Sequence, residues 1–257
     1  MTPSDDKPTT LAEAEPERLD PAGEAEWIRQ LCAEGGLRTV FQPVFELAGG
    51  ECVAFEALTR FPAGEADRTT AAWFARATEV GAGRELELAA VQAALAHLDE
   101  LRDSVLLSLN VSPAVAITPE FAELVEPVAE RLIIELTEHE PVVDYLPLAA
   151  TLARLRERGA RIAVDDVGAG FASLRHILRL EPDIVKLDLS LTREIETDPG
   201  RRALTSALID FADRIGATIA AEGIETESEL ELLRGLGIEQ GQGYYLGYPI
   251  PLSGPLQ

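Results

Sequence analysis

Residues 131–166 read RLIIELTEHEPVVDYLPLAATLARLRERGARIAVDD. The run RLIIELTE (131–138) is apolar and predicts a strand, and DYLPLAATLARLRERG (144–159) predicts a helix stopped by a glycine. RIAVDD (161–166) predicts a second strand. Strand, helix, strand is the unit that pairs its two strands in parallel beneath a helical crossover.

The same rhythm extends both ways. Upstream stand SVLLSLN (104–110) as a strand and TPEFAELVEPVAE (118–130) as a helix opened by Thr118 and Pro119. Downstream, a helix FASLRHILRL (171–180) precedes the strand DIVKLD (183–188) and the helix GRRALTSALIDFADRIG (200–216). Then come ATIAAEG (217–223) as a strand, TESELELLRGLG (226–237) as a helix, and a closing run GYYLGYPIP (243–251). Nearer the start, RTVFQPVFEL (38–47) and ECVAFEALTR (51–60) are strand-like and joined by AGG, a hairpin signal. A helix EAEWIRQLCAEGG (24–36) precedes them, and two helices broken near Gly81 and Gly83 follow. This alternation implies a parallel sheet covered on both faces, best fitted by a (β/α) barrel, with a doubly wound open sheet as the alternative. No glycine fingerprint follows a first strand, which argues against the dinucleotide-binding form of the open sheet. The expected organisation is an acidic, disordered tail over residues 1–23 and one barrel domain over 24–257.

The chain has 257 residues, 46% of them hydrophobic, and a formal net charge of −23. That charge disfavours a polymeric nucleic acid and an anionic membrane surface as partners. A small phosphorylated ligand held through metal ions is compatible with it, because a bound cation reverses the local field. The two cysteines, Cys32 and Cys52, imply neither a disulfide framework nor a thiolate metal cluster. The N-terminus lacks the basic and apolar regions of a signal peptide, and no apolar run reaches about 20 residues, so the expected location is the cytoplasm.

Six successive predicted strands carry a polar residue at or near their C-terminal ends: Glu56, Asn110, Glu135, the pair Asp165 and Asp166, Lys186, and Glu222. One charge at a strand end is commonly a solvated loop start, and the paired aspartates have a bland reading as a helix cap. A succession of them points instead to the mouth where barrel strands converge. Crowded carboxylates repel unless a cation lies among them. Oxygen donors without Cys or His specify a hard ion, Mg²⁺ or Mn²⁺. Adjacent aspartates with further carboxylates suit two such ions and metal-assisted phosphoester hydrolysis. Proton abstraction beside a carboxylate, with Lys186 as base, is the competing chemistry.

FQPVFEL (41–47), EALTRF (56–61), LSLNVSP (107–113), IIELTE (133–138), AVDDVGAGFASL (163–174), DIVKLD (183–188), AEGIET (221–226) and GQGYYLGYP (241–249) occur in the order found in EAL domains. The chain resembles this family of cyclic di-GMP phosphodiesterases from about residue 38 to 251. The resemblance implies a modified (β/α)8 TIM-type barrel with an antiparallel first strand. It implies hydrolysis of cyclic di-GMP to linear pGpG with two Mg²⁺ or Mn²⁺ ions, Ca²⁺ being inhibitory. Glu56, Asn110, Glu135 and Asp165 resemble the ligands of one metal, Asp165 the bridge, and Asp166 a ligand of the second. Lys186, Glu222 and Gln242 resemble the residues around the attacking water, and Glu138 the anchor of the loop after the aspartates. Gln42, Leu58, Arg60, Asn110, Asp188 and Pro249 resemble substrate contacts, Arg60 to a phosphate. Glu225 resembles a residue supporting the site. Tyr244 and Tyr245 read as core and rim aromatics. A homodimer and a regulatory protein partner are also implied. The loop DDVGAGFAS (165–173) departs from the family's Asp-Asp-Phe-Gly-Thr-Gly-Tyr-Ser-Ser and loses a hydroxyl, Phe61 replaces a usual tryptophan, and the connection after it is short. A binding module that holds cyclic di-GMP without turnover is the alternative, and an interaction domain indifferent to the nucleotide is a third class.

Overall fold

Nine residues on either side of a short turn start the sheet. β1 (Arg38–Glu46) and β2 (Cys52–Arg60) are closed by Glu46, whose backbone accepts from Gly50 at 2.9 Å and donates to Glu51 at 2.8 Å. β3 (Leu106–Val111), β4 (Leu132–Leu136), β5 (Arg161–Val167), β6 (Ile184–Leu187), β7 (Thr218–Ala221) and β8 (Gln240–Gly241) follow, and the eight close in sequence order into a barrel. From β2 to β8 every neighbouring pair is parallel, while β1 pairs antiparallel with β8 through Phe45 and Gly241. The antiparallel first strand is therefore as expected. The computed structural model describes residues 20–62, 69–136, 144–168 and 177–252.

Strand alternation sorts the side chains. Val44, Ala54, Ile133, Ala163, Ile184 and Ala220 form one apolar layer. Glu56, Glu135, Asp165, Lys186 and Glu222 each lie two residues further along the same strands or just beyond them, so the layer above is ionic. The intervening Val164, Val185, Ile219 and Ala221 face the other way and pack with Leu208, Ala212, Leu230 and Leu233 from the covering helices.

Two compact units divide the chain. One comprises residues up to Arg38 together with Thr59–Ala93. In it, α1 (Pro21–Ala33), α2 (Thr70–Glu79) and most of α3 (Gly83–Leu95) enclose Trp73, which stacks on Trp27 at 5.4 Å and on Phe61 at 4.9 Å. α1 starts at Pro21 with Asp20 accepting from the Gly23 amide, so residues 21–23, expected in the tail, are helical. The other unit comprises Thr39–Leu58 and Ala94–Gln257 and carries the ionic layer. No described helix is long and apolar enough to cross a membrane.

The helix Glu227–Leu236 opens with a reciprocal cap. The Thr226 hydroxyl accepts from the Glu229 amide at 3.2 Å, and the Glu229 carboxylate accepts from Thr226 at 3.0 Å, Glu225 at 2.8 Å and Glu194 at 2.9 Å. Those three amides hold the Glu229 carboxyl below its ordinary value although burial alone would raise it. Thr226→Ala is expected to lower unfolding free energy by about 1 kcal/mol in urea denaturation, the usual loss for a cap. An unchanged midpoint would show that Glu229 alone fixes this turn.

Candidate functional site

The ionic layer is one connected network. Asn110 donates to Glu56 Oε1 at 2.7 Å, and the Gln242 amide donates to Glu56 Oε2 at 2.6 Å and to Glu222 at 3.0 Å. Lys186 Nζ lies 2.6 Å from Glu135, 2.7 Å from Glu222, 3.3 Å from Asp165 and 3.8 Å from Glu56. Ser108 closes the network by donating to the second Glu135 oxygen at 2.6 Å. Glu56, Glu135, Lys186 and Gln242 are buried. Glu56, a carboxylate inside an apolar strand, is met by two amides and a nearby ammonium.

Asp166 requires a separate explanation. In a regular strand it would point away from Asp165. The β5–β6 register shifts between Val164 and Val167, and Asp166 takes φ +55°. That bulge, in a conformation aspartate tolerates better than most residues, brings both carboxylates to the same side. Oxygens of Asp165, Asp166 and Glu222 all lie within 4.8 Å of one another.

The electrostatics are unbalanced. Five carboxylates face one ammonium in this network. Burial pushes the Glu135 carboxyl up to about 8. Burial raises Glu222 well above its usual range as well, helped by Asp165 and Glu56. Burial alone would lower Lys186, but Asp165, Glu135, Glu222 and Glu56 overcome it and raise its value well above that of an ordinary lysine. Such an ammonium keeps its proton, gives hydrogen bonds to its neighbours and is a poor base, which counts against the proton-abstraction scheme. The donor set fits hard divalent cations: oxygen ligands only, five carboxyls against one ammonium, and a buried Gln242 Oε1 with no partner among the described residues.

Other expected residues stand apart from this network. Gln42 is buried and donates to the Gly247 carbonyl at 3.2 Å. Leu58 and Pro249 are half-buried. Arg60 donates to its neighbour's carbonyl, Thr59, at 2.9 Å. Asp188 caps the helix Leu189–Thr192 by accepting from Ser190 at 3.0 Å. Glu225 is exposed and pairs with Arg193. Glu138, and the loop positions Ala169 and Ala172, lie outside the described residues. Tyr244 and Tyr245 are exposed, and Tyr244 stacks on Tyr248 at 4.7 Å, so neither belongs to the core. Ser108 was missed by reading only the last polar residue of each strand. It sits two before Asn110, on the same face, and that period of two was its signal.

Comparison with known proteins places these residues in context. The EAL domain family model matches residues 25–249. A cyclic di-GMP phosphodiesterase of Pseudomonas aeruginosa is 32% identical over 228 residues, 84% of this chain and 39% of its own length. The manganese and cyclic di-GMP complex of Klebsiella pneumoniae BlrP1 superposes with a TM-score of 0.75 at 27% identity, over 85% of this chain and 57% of that one. A standalone EAL protein from Vibrio cholerae with cyclic di-GMP bound gives 0.72 at 25% identity, over 84% and 93%. The chain spans only 28% to 39% of the length of the first curated relatives it matches.

Proposed function

This chain is a member of the EAL domain family, and from that premise we propose that it hydrolyses one phosphodiester of cyclic di-GMP to linear pGpG in a site that takes two Mg²⁺ or Mn²⁺ ions. The observation that carries the reading is the layer of five carboxylates around a single ammonium at the strand ends. Glu56, Asn110, Glu135 and Asp165 would hold one ion and Asp166 the other, with Asp165 shared. When bound, such ions make water acidic and offset the charge that develops on the phosphate oxygens.

The chain's own groups do the positioning. Lys186 draws Glu135, Glu222 and Asp165 together and fixes the spacing of their oxygens. Gln242 holds Glu56 and Glu222 with its amide, leaving Oε1 to accept a hydrogen bond from the attacking water. Glu222 takes the proton as the water oxygen bonds to phosphorus. The P–O3′ bond breaks, the 3′ oxygen leaves and takes up a proton from solvent to become the 3′ hydroxyl, and the phosphate stays on the 5′ side, which is the pGpG product. Gln42, Leu58, Arg60, Asn110, Asp188 and Pro249 are proposed to contact the dinucleotide, Arg60 at a phosphate, and Glu138 to anchor the loop after the aspartates. A homodimer, a regulatory partner and a cytoplasmic location belong to the same reading.

The test is incubation of the purified protein with cyclic di-GMP and Mg²⁺, Mn²⁺ or Ca²⁺, with products separated by chromatography. pGpG is expected with Mg²⁺ or Mn²⁺, and intact substrate with Ca²⁺. Tight binding of cyclic di-GMP without product under any ion would replace the enzyme with a receptor.

A further inference from the structure

The helix Leu189–Thr192, one turn long, packs against Gly168 and Gly223, the glycines that follow β5 and Glu222. On one side it meets the residue after the β5 strand. Gly168 adopts φ +115°, and a Cβ there would lie 2.3 Å from Leu191 Cδ1. On the other side it meets the residue after Glu222. A Cβ on Gly223 would lie 2.8 Å from the Leu189 Cβ. The backbone is laced at the same places: Asp188 donates to Val167 and Glu222 donates to Leu187, each at 3.2 Å.

Thr192 is the polar centre of this wedge. It is fully buried, and its hydroxyl donates to the main-chain carbonyl of Glu222. The Leu189 carbonyl, 3.2 Å away, is the more distant acceptor. A hydroxyl carries one proton, so the bond to Glu222 takes it. Leaving this partly buried carbonyl without its donor is costly. The carboxylate of Glu222 hangs from that carbonyl's residue, between Lys186 and Gln242.

We propose that Thr192 is a positioning residue: through the Glu222 carbonyl it fixes where the Glu222 carboxylate stands relative to Asp165 and Asp166. The inference rests on the phosphodiesterase reading for its kinetic consequence and on the geometry alone for its effect on ion binding.

The experiment compares Thr192→Val, which keeps the shape and removes the hydroxyl, with Thr192→Ser, which keeps the hydroxyl. Mn²⁺ affinity is measured by the free-ion resonance signal, without substrate. Hydrolysis of cyclic di-GMP is measured separately, with kcat and KM resolved. Thr192→Val is expected to weaken Mn²⁺ binding about tenfold, the usual scale for a residue that orients a ligand. It is expected to lower kcat by roughly tenfold to a hundredfold with KM little changed. Thr192→Ser is expected to stay near the parent in both. If Thr192→Val does not fold, Thr192→Ala is compared with Thr192→Ser in the same way. Parent-like Mn²⁺ binding in the hydroxyl-free variant, or equal damage in Thr192→Ser, would overturn the proposal. A parent protein that binds Mn²⁺ yet hydrolyses nothing would overturn the phosphodiesterase reading and leave the ion-binding comparison intact.

Discussion

Lys186→Met is expected to destabilise the ion-free protein by about 3–5 kcal/mol, the range for removing one partner of a buried charge pair. It is also expected to abolish hydrolysis of cyclic di-GMP. Methionine fills much of the same volume, so the loss is electrostatic. The ammonium is buried and lies within 4 Å of Glu56, Glu135, Asp165 and Glu222. Without it these carboxylates repel in a site where burial already disfavours their charge. The check is thermal or urea denaturation in EDTA and again with excess Mn²⁺. An ion that binds only the folded chain stabilises by mass action, so Mn²⁺ is expected to recover part of the deficit. An unchanged transition in EDTA would mean that Lys186 does not balance this cluster.

The parts legible in the sequence were those written as periodic patterns. Strand–helix alternation, the AGG hairpin and the polar strand ends are all local, and they led to the barrel and to Glu56, Asn110, Glu135, Asp165, Lys186 and Glu222. Other features depend on backbone geometry that no local pattern encodes. A regular strand would set two adjacent aspartates on opposite faces, and only the bulge at Asp166 brings them together. The four-residue helix Leu189–Thr192 is too short to show a period, so Asp188 gave no sign of being its cap. β8 pairs through only Gln240 and Gly241, too few residues to show an alternation, and the closing run GYYLGYPIP does not extend it. That run instead bends back, with Ile250 bridging Phe41 of β1, and leaves Tyr244, Tyr245 and Tyr248 exposed.

Glu56→Gln separates activity from stability. The parent carboxylate accepts from Asn110 on one oxygen and from Gln242 on the other. A glutamine keeps the shape but presents an amide to one of those two donors, so one contact becomes donor against donor. Turning the Gln242 side chain over would relieve that clash at the expense of its bond to Glu222. The substitution also removes one carboxyl from five gathered around a single ammonium, which lessens repulsion in the ion-free protein. Stability in EDTA is therefore expected to hold or rise, while hydrolysis of cyclic di-GMP falls on the order of a thousandfold, the scale for losing one preorganised polar contact at a reacting centre. Both are read on one preparation, by urea denaturation and by product chromatography. Full hydrolysis would remove Glu56 from the site's machinery. A loss of stability as large as that of Lys186→Met would show that Glu56 holds the fold together, and that its charge is not there for an ion.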